Sequence, residues 1–238
     1  MVGKHNLTAG GVTQRATIAL RYRSASTRTA TVNHYDRHRA GITVKSTRAF
    51  FPADRGGLVD WCAHENDIAC MLKEMEDFEQ ASRTAIQFAK QHPDTLVVIT
   101  GDHETGGLSL PTPEAWNTTE LAKISGSIKS MVAHLMKISP QELAYGSAAI
   151  ALSLEEFIQF ELSAKQLDDM FRLVQSRDSK ATTHYLKSLI NDRTKTGWAT
   201  NYHTSQNIPV YSYGPGSEKF STLLGNDEVG RLLMSFVR

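Results

Sequence analysis

The chain has 238 residues, 40% of them hydrophobic, with 26 Lys and Arg against 25 Asp and Glu and only 2 Cys. This length and apolar content suit one or two domains with a sizeable core and exclude a wholly disordered chain. The near-zero net charge excludes a globally basic nucleic-acid binder, two cysteines cannot build a disulfide scaffold, and no apolar run approaches the roughly 20 residues of a membrane-spanning helix.

The balance hides a split. Residues 1–48 carry nine Lys and Arg and one acid, Asp36, for a charge of +8, which leaves −7 on the remainder. Such asymmetry raises the reading of a nucleic-acid-binding arm on an acidic domain. Tyr22 and Tyr35 lie among the cations, but the cations form neither a helical stripe nor a recognised module, which counts against nucleic acid as a partner. The segment lacks the short apolar core and cleavage site of a signal peptide. From Arg15 to Arg48 apolar periodicity is sparse, which predicts little independent stability.

The texture changes near Phe50. Between His64 and His92, the residues Ile68, Met71, Leu72, Met75, Phe78, Ala85, Ile86 and Ala89 recur in steps of three and four, which predicts one long amphipathic helix stopped by Pro93. If Cys62 and Cys70 share such a helix, a rise of ~1.5 Å per residue sets them ~12 Å apart, too far for a disulfide. Leu96-Val97-Val98-Ile99-Thr100 is continuously apolar and β-branched, as in a strand buried on both faces of a parallel sheet. The polar, Gly-rich stretch Gly101 to Gly107 leaves its C-terminal end, where open α/β sheets place ligands.

Residues 114–195 read as mostly helical, with start signals at Ser139-Pro140 and at the capping box Ser153-Leu154-Glu155-Glu156. They contain no ligand-like cluster and read as an insertion. Ile208 to Tyr213 predicts a further strand, ended by Gly214-Pro215-Gly216, and a last helix runs to about Phe236.

Five side chains have the chemistry of metal ligands: Asp60, His64, Asp102, His103 and His203. Asp60 and His64 are four apart, so a helical turn points both at one place. Carboxylate oxygens with imidazole nitrogens form a zinc donor set, and an open position on such an ion accepts water or a phosphoryl oxygen. Taken singly, Asp60 reads as a helix cap, Asp102 as a turn residue and His203 as a surface histidine.

In sequence they form a pattern. Val59-Asp60-Trp61 through His64-Glu65-Asn66-Asp67, then Thr95 through Asp102-His103-Glu104-Thr105-Gly106-Gly107, then His203-Thr204 with Pro209-Val210-Tyr211 and Tyr213-Gly214-Pro215-Gly216, resemble the alkaline phosphatase family in the family's order. The resemblance is clear over about 56–110 and 197–236 and weak across the helical insertion. It implies part of an α/β/α sandwich with a mainly parallel central sheet, and a phosphomonoester hydrolase with two zinc ions and one magnesium. By that pattern Asp60, His64 and His203 bind the zinc that activates the hydrolytic water. Asp102 and His103 bind the second zinc, which holds a serine nucleophile. The resemblance also implies a phosphomonoester substrate, a homodimer and a periplasmic or extracellular location.

The family's Asp-Ser-Ala segment with the nucleophile, its zinc–magnesium bridging Asp and its phosphate-clamping Arg precede the Asp60 segment, and no such motif stands upstream here. No catalytic residue is therefore assigned within the chain, which is expected to be inactive alone. Gly146-Ser147-Ala148-Ala149 lacks the preceding Asp and follows the Asp102 segment, so it reads as a helix or turn element. Arg55 stands where the family has its magnesium Glu, and an Arg has no acceptor with which to bind a metal. Ala53-Asp54-Arg55-Gly56 encoded as GCG GAT CGA GGN reads Arg-Ile-Glu when displaced by one nucleotide. Residues 1–55 are accordingly expected to be an atypical basic leader, out of frame or disordered, ahead of a phosphatase-like C-terminal part at 56–238 with its insertion at about 114–195.

Two other readings stand beside this one. One is a non-catalytic metal-binding protein with a basic nucleic-acid-binding arm. The other is a different hydrolase or mutase of the metal-dependent phosphatase superfamily. Thr105-Gly106-Gly107 and the His203 segment favour alkaline phosphatase, whereas Ser205 and Asn207 depart from the Gly and Asp usual there.

Overall fold

The computed structural model describes residues 56–112 and 115–236 with their side chains, and upstream the backbone of residues 16–21, 29–32, 42–45 and 53–55. The expectations for the rest of the basic leader lie outside the described residues. Four strands open the described chain: β1 (Ala16–Arg21), β2 (Thr29–Val32), β3 (Ile42–Lys45) and β4 (Ala53–Gly56). Helices α1 (Gly57–His64) and α2 (Ile68–Gln91) follow, then strands β5 (Leu96–Thr100), β6 (Glu104–Thr105) and β7 (Leu108–Ser109). Six helices come next: α3 (Thr118–Leu121), α4 (Ile128–Leu135), α5 (Pro140–Leu143), α6 (Ser147–Leu154), α7 (Ala164–Gln175) and α8 (Ser179–Thr194). Strands β8 (Gly197–Trp198), β9 (His203–Thr204) and β10 (Tyr211–Tyr213), a 3-10 turn at Ser217–Phe220 and helix α9 (Asn226–Ser235) complete the fold. None of the described helices is long and apolar enough to cross a membrane.

The described residues divide into two compact units: those up to 61, from 73 to 107 and from 202 onwards form the first, and those from 62 to 72 and 108 to 201 the second. In the first, β5 lies inside a four-stranded sheet of order β10-β5-β1-β4. Its alternate side chains face opposite layers, as the pleat requires. Val97 and Ile99 pack on Phe78, Ala81, Ala85 and Ala89 of α2. Leu96 and Val98 pack on Phe220 and on Val229 of α9. The strand is therefore buried on both faces, as its unbroken apolar run predicts.

The expected mainly parallel sheet is not what forms among the described strands. β1 pairs antiparallel with both β4 and β5, and β10 pairs antiparallel with β5. An apolar run reports burial of both faces, which is usual in a parallel sheet but arises equally in an antiparallel strand covered by helices on both sides. The link from β4 through α1 and α2 does return β5 in the same direction as β4, but β1 lies between them and runs the other way.

The second unit is helical, with a core that includes Ile128, Met131 and Leu135 of α4, Ile150 and Leu154 of α6, Met170 and Val174 of α7, and Leu186 and Ile190 of α8. Ser139-Pro140 starts α5 with a capping box, as read from the sequence. The Ser153 box does not start a helix, because Ser153 lies in the last turn of α6 and the chain turns after Leu154. Strand β10 covers only half of the predicted Ile208–Tyr213 run.

The long helix predicted from His64 is broken at Glu65–Asp67, where Asn66 takes a left-handed conformation with φ 52°. The break overturns the cysteine expectation. Cys62 and Cys70 lie on different helices with Cα atoms 5.5 Å apart and form a disulfide. Asp67 then accepts from the first turns of two helices, α2 and α4. One carboxylate oxygen accepts from the Cys70 N–H of α2 at 3.1 Å and the other from the Ile128 N–H of α4 at 2.7 Å. Burial pushes this carboxyl above the ordinary value of 3.8, and the backbone donors Cys70, Ile128 and Ala69 pull it back part of the way.

Three outcomes are expected. Replacing both cysteines by Ser is expected to cost about 2–3 kcal/mol in urea unfolding, the chain-entropy value for so short a loop. Asp67→Ala is expected to cost about 2–4 kcal/mol, from a lost cap and a buried Ile128 N–H left without an acceptor. Because the folded state holds the Asp67 proton more tightly than the unfolded state, wild-type stability relative to Asp67→Asn is expected to fall as pH rises from the ordinary value through the raised one. An unfolding series from acidic to neutral pH checks that sign.

Candidate metal centre

Helix α1 places two of the expected ligands on one face, Asp60 in its interior and His64 at its last position. Asp60 is buried to 1% exposure, and His64 is half-buried. The His64 ring is fixed by its Nδ1, 2.6 Å from the Asn201 backbone carbonyl. A carbonyl oxygen only accepts, so Nδ1 carries the proton and the ring lone pair is on Nε2, the nitrogen able to coordinate.

His203 arrives on β9. Strand β6 pairs antiparallel with β9 in the register Glu104 to Thr204 and Thr105 to His203, so Thr105 and His203 lie side by side. The Thr105 hydroxyl, itself fully buried, donates to Asp60 Oδ1 at 2.9 Å. Asp60, His64 and His203 thus offer one carboxylate oxygen and two ring nitrogens, all within 4.8 Å of one another. Donor atoms at zinc-ligand distances on a tetrahedral ion lie about 3.4 Å apart, so closure asks for a shift of roughly 1.4 Å at most. Two neutral imidazoles and one carboxylate are a three-ligand set that leaves a fourth position open, so the residues present fit zinc.

The loop from Asp102 to Gly107 explains its own composition. Gly106 and Gly107 have φ of 88° and 58°, a turn that favours glycine. Glu104, 1% exposed, accepts from the Gly107 N–H at 3.1 Å and from the Thr204 hydroxyl, which ties the turn to β9. Neither Glu104 nor Thr105 is singled out by the sequence as a site residue, although both stand in the Asp-His-Glu-Thr-Gly-Gly run. Their value lies in hydrogen bonds to residues distant in the chain, which no local pattern displays.

Asp102 and His103 lie outside the group of three and form a neighbouring pair. His103 Nε2 is 3.5 Å from Asp102 Oδ2, and the His103 ring stacks on that of His203 with centroids 3.6 Å apart. His103 Nδ1 is 3.3 Å from the Thr105 hydroxyl. That hydroxyl donates to Asp60, and the other ring nitrogen of His103, Nε2, faces Asp102. On α9, the Asn226 amide donates to the Asp102 carbonyl at 3.3 Å and holds the loop from behind.

A family model described as alkaline phosphatase matches residues 36–238. The chain is 34% identical over 191 residues to alkaline phosphatase 3 of Bacillus subtilis, which covers 79% of this chain and 40% of that protein. It is 28% identical to alkaline phosphatase 4 of the same organism, covering 82% of the chain and 41% of the relative. The chain thus spans about two-fifths of the length of these curated relatives. A crystal structure of a cold-active alkaline phosphatase from a psychrophilic Shewanella species superposes with a TM-score of 0.66 at 31% identity, over 77% of this chain and 44% of that one. A match that runs from residue 36 to residue 238 and takes in every candidate ligand places the chain in the alkaline phosphatase family.

Proposed function

We propose that this chain carries the zinc-binding portion of a phosphomonoester hydrolase, with Asp60, His64 and His203 as one ligand set and Asp102 and His103 as part of a second. The convergence of Asp60, His64 and His203 within 4.8 Å carries the reading. Zinc in such sites supplies Lewis acidity towards phosphoryl oxygen and lowers the pKa of bound water. The chain's own contribution is to hold the donors. Thr105 orients Asp60, the Asn201 carbonyl selects the coordinating nitrogen of His64, and the β6–β9 pairing brings His203 beside Thr105.

By the family pattern the nucleophile, the bridging Asp and the phosphate-binding Arg precede the Asp60 segment, and no such motif stands upstream of Asp60 in this sequence. Arg55 supplies no ligand for magnesium at the position where the family has its Glu. The substrate class, a phosphomonoester, follows from family membership. The Cys62–Cys70 disulfide supports an oxidising compartment, as in periplasmic or extracellular proteins.

Competition against a chromophoric chelator is expected to show zinc binding by the purified chain and its loss in Asp60→Ala; equal affinity in the two proteins would sink the ligand assignment. The zinc-loaded chain alone is expected to hydrolyse p-nitrophenyl phosphate no faster than the buffer, and chelator-sensitive turnover would show that the missing groups are replaced. Thr105→Val, which keeps the shape but removes the hydroxyl from Asp60 and His103, is expected to weaken zinc binding by about 10–100-fold. Thr105→Ser should keep most of the affinity in the same titration.

A further inference from the structure

His64 is the last residue of α1, where backbone carbonyls have run out of helical donors. The two carbonyls nearby are satisfied within the turn: Cys62 accepts from the Asp67 N–H at 2.9 Å and Ala63 from the Asn66 N–H at 2.8 Å. The His64 carbonyl is served from 137 residues away, by the Asn201 side-chain amide at 2.8 Å. Asn201 also returns its own backbone carbonyl to the His64 ring, accepting from Nδ1 at 2.6 Å. One residue therefore holds both the main chain and the ring of the same histidine. Asn201 is exposed and belongs to no helix or strand, so its side chain fills no core position.

We propose that Asn201 is a positioning residue for zinc at the Asp60, His64 and His203 site, an inference that rests on the metal-binding reading above. Its amide fixes the end of α1 against the 200–202 segment, and the carbonyl so placed keeps the proton on Nδ1 and aims Nε2 at the ion. Partners of this kind to a ligating histidine are worth about 10–100-fold in metal affinity. Here the acceptor is main chain and survives any substitution, so the amide anchor is the part a variant can remove.

The test is zinc competition on the whole chain as wild type, Asn201→Ala and Asn201→Gln, with cobalt absorption spectra and apo-protein urea midpoints alongside. Asn201→Ala is expected to weaken zinc about tenfold or more and to alter the cobalt ligand-field bands, with an apo urea midpoint close to wild type. Asn201→Gln, which keeps the donor, should recover part of the affinity. Wild-type affinity and an unchanged cobalt spectrum in Asn201→Ala would overturn the positioning role while leaving the site intact. So would an equal fall of urea midpoint and affinity in both variants, which marks a purely structural residue. Failure of the wild-type chain to bind zinc would overturn the metal-binding reading itself, and this inference with it.

Discussion

A buried carboxylate sets the terms for the rest of this structure. Asp60 is 1% exposed, and a carboxyl group removed from water must be matched by hydrogen-bond partners or cations. Helix α1 fixes its position, and the Thr105 hydroxyl fixes the direction of one of its oxygens. Thr105 is itself held by a two-residue strand pairing that brings His203 alongside, and that pairing is pinned by Glu104 through Gly107 and Thr204. Each link exists because the previous one needs a partner. The polar run Asp102 to Gly107 is the framework of the site as well as a source of ligands.

The elements that depend on burial were legible in the sequence. The apolar run Leu96–Thr100 is a strand covered by α2 on one face and by α9 on the other, and α2 stops before Pro93. What burial cannot encode was misread. Strand direction follows from which neighbour fills the adjacent slot, and β1 fills it antiparallel. The periodicity from Ile68 onwards gave no sign that the chain breaks between His64 and Ile68, because Asn66 at φ 52° and the Asp67 cap are single-residue events. From that one break came the wrong spacing for Cys62 and Cys70. The capping-box pattern at Ser153 is likewise a four-residue signal, overridden by the helix already running through it.

The proposed metal residues divide in the same way. Of the five that the family pattern points to, three converge. The side chains that hold them were not readable, since Thr105, Glu104 and Asn201 act over separations of 45, 100 and 137 residues. Family membership extends over residues 36–238, while the chain covers about 40% of the length of its curated relatives. The described fold accounts for how Asp60, His64 and His203 are brought together.

Diffraction at the zinc edge from crystals of the zinc-loaded chain tests the central claim most directly. The account predicts an anomalous peak bonded to a carboxylate oxygen of Asp60, to Nε2 of His64 and to a ring nitrogen of His203, each at about 2.0–2.2 Å. A zinc ion bound elsewhere with these three side chains apart, or bound through Nδ1 of His64, would contradict it.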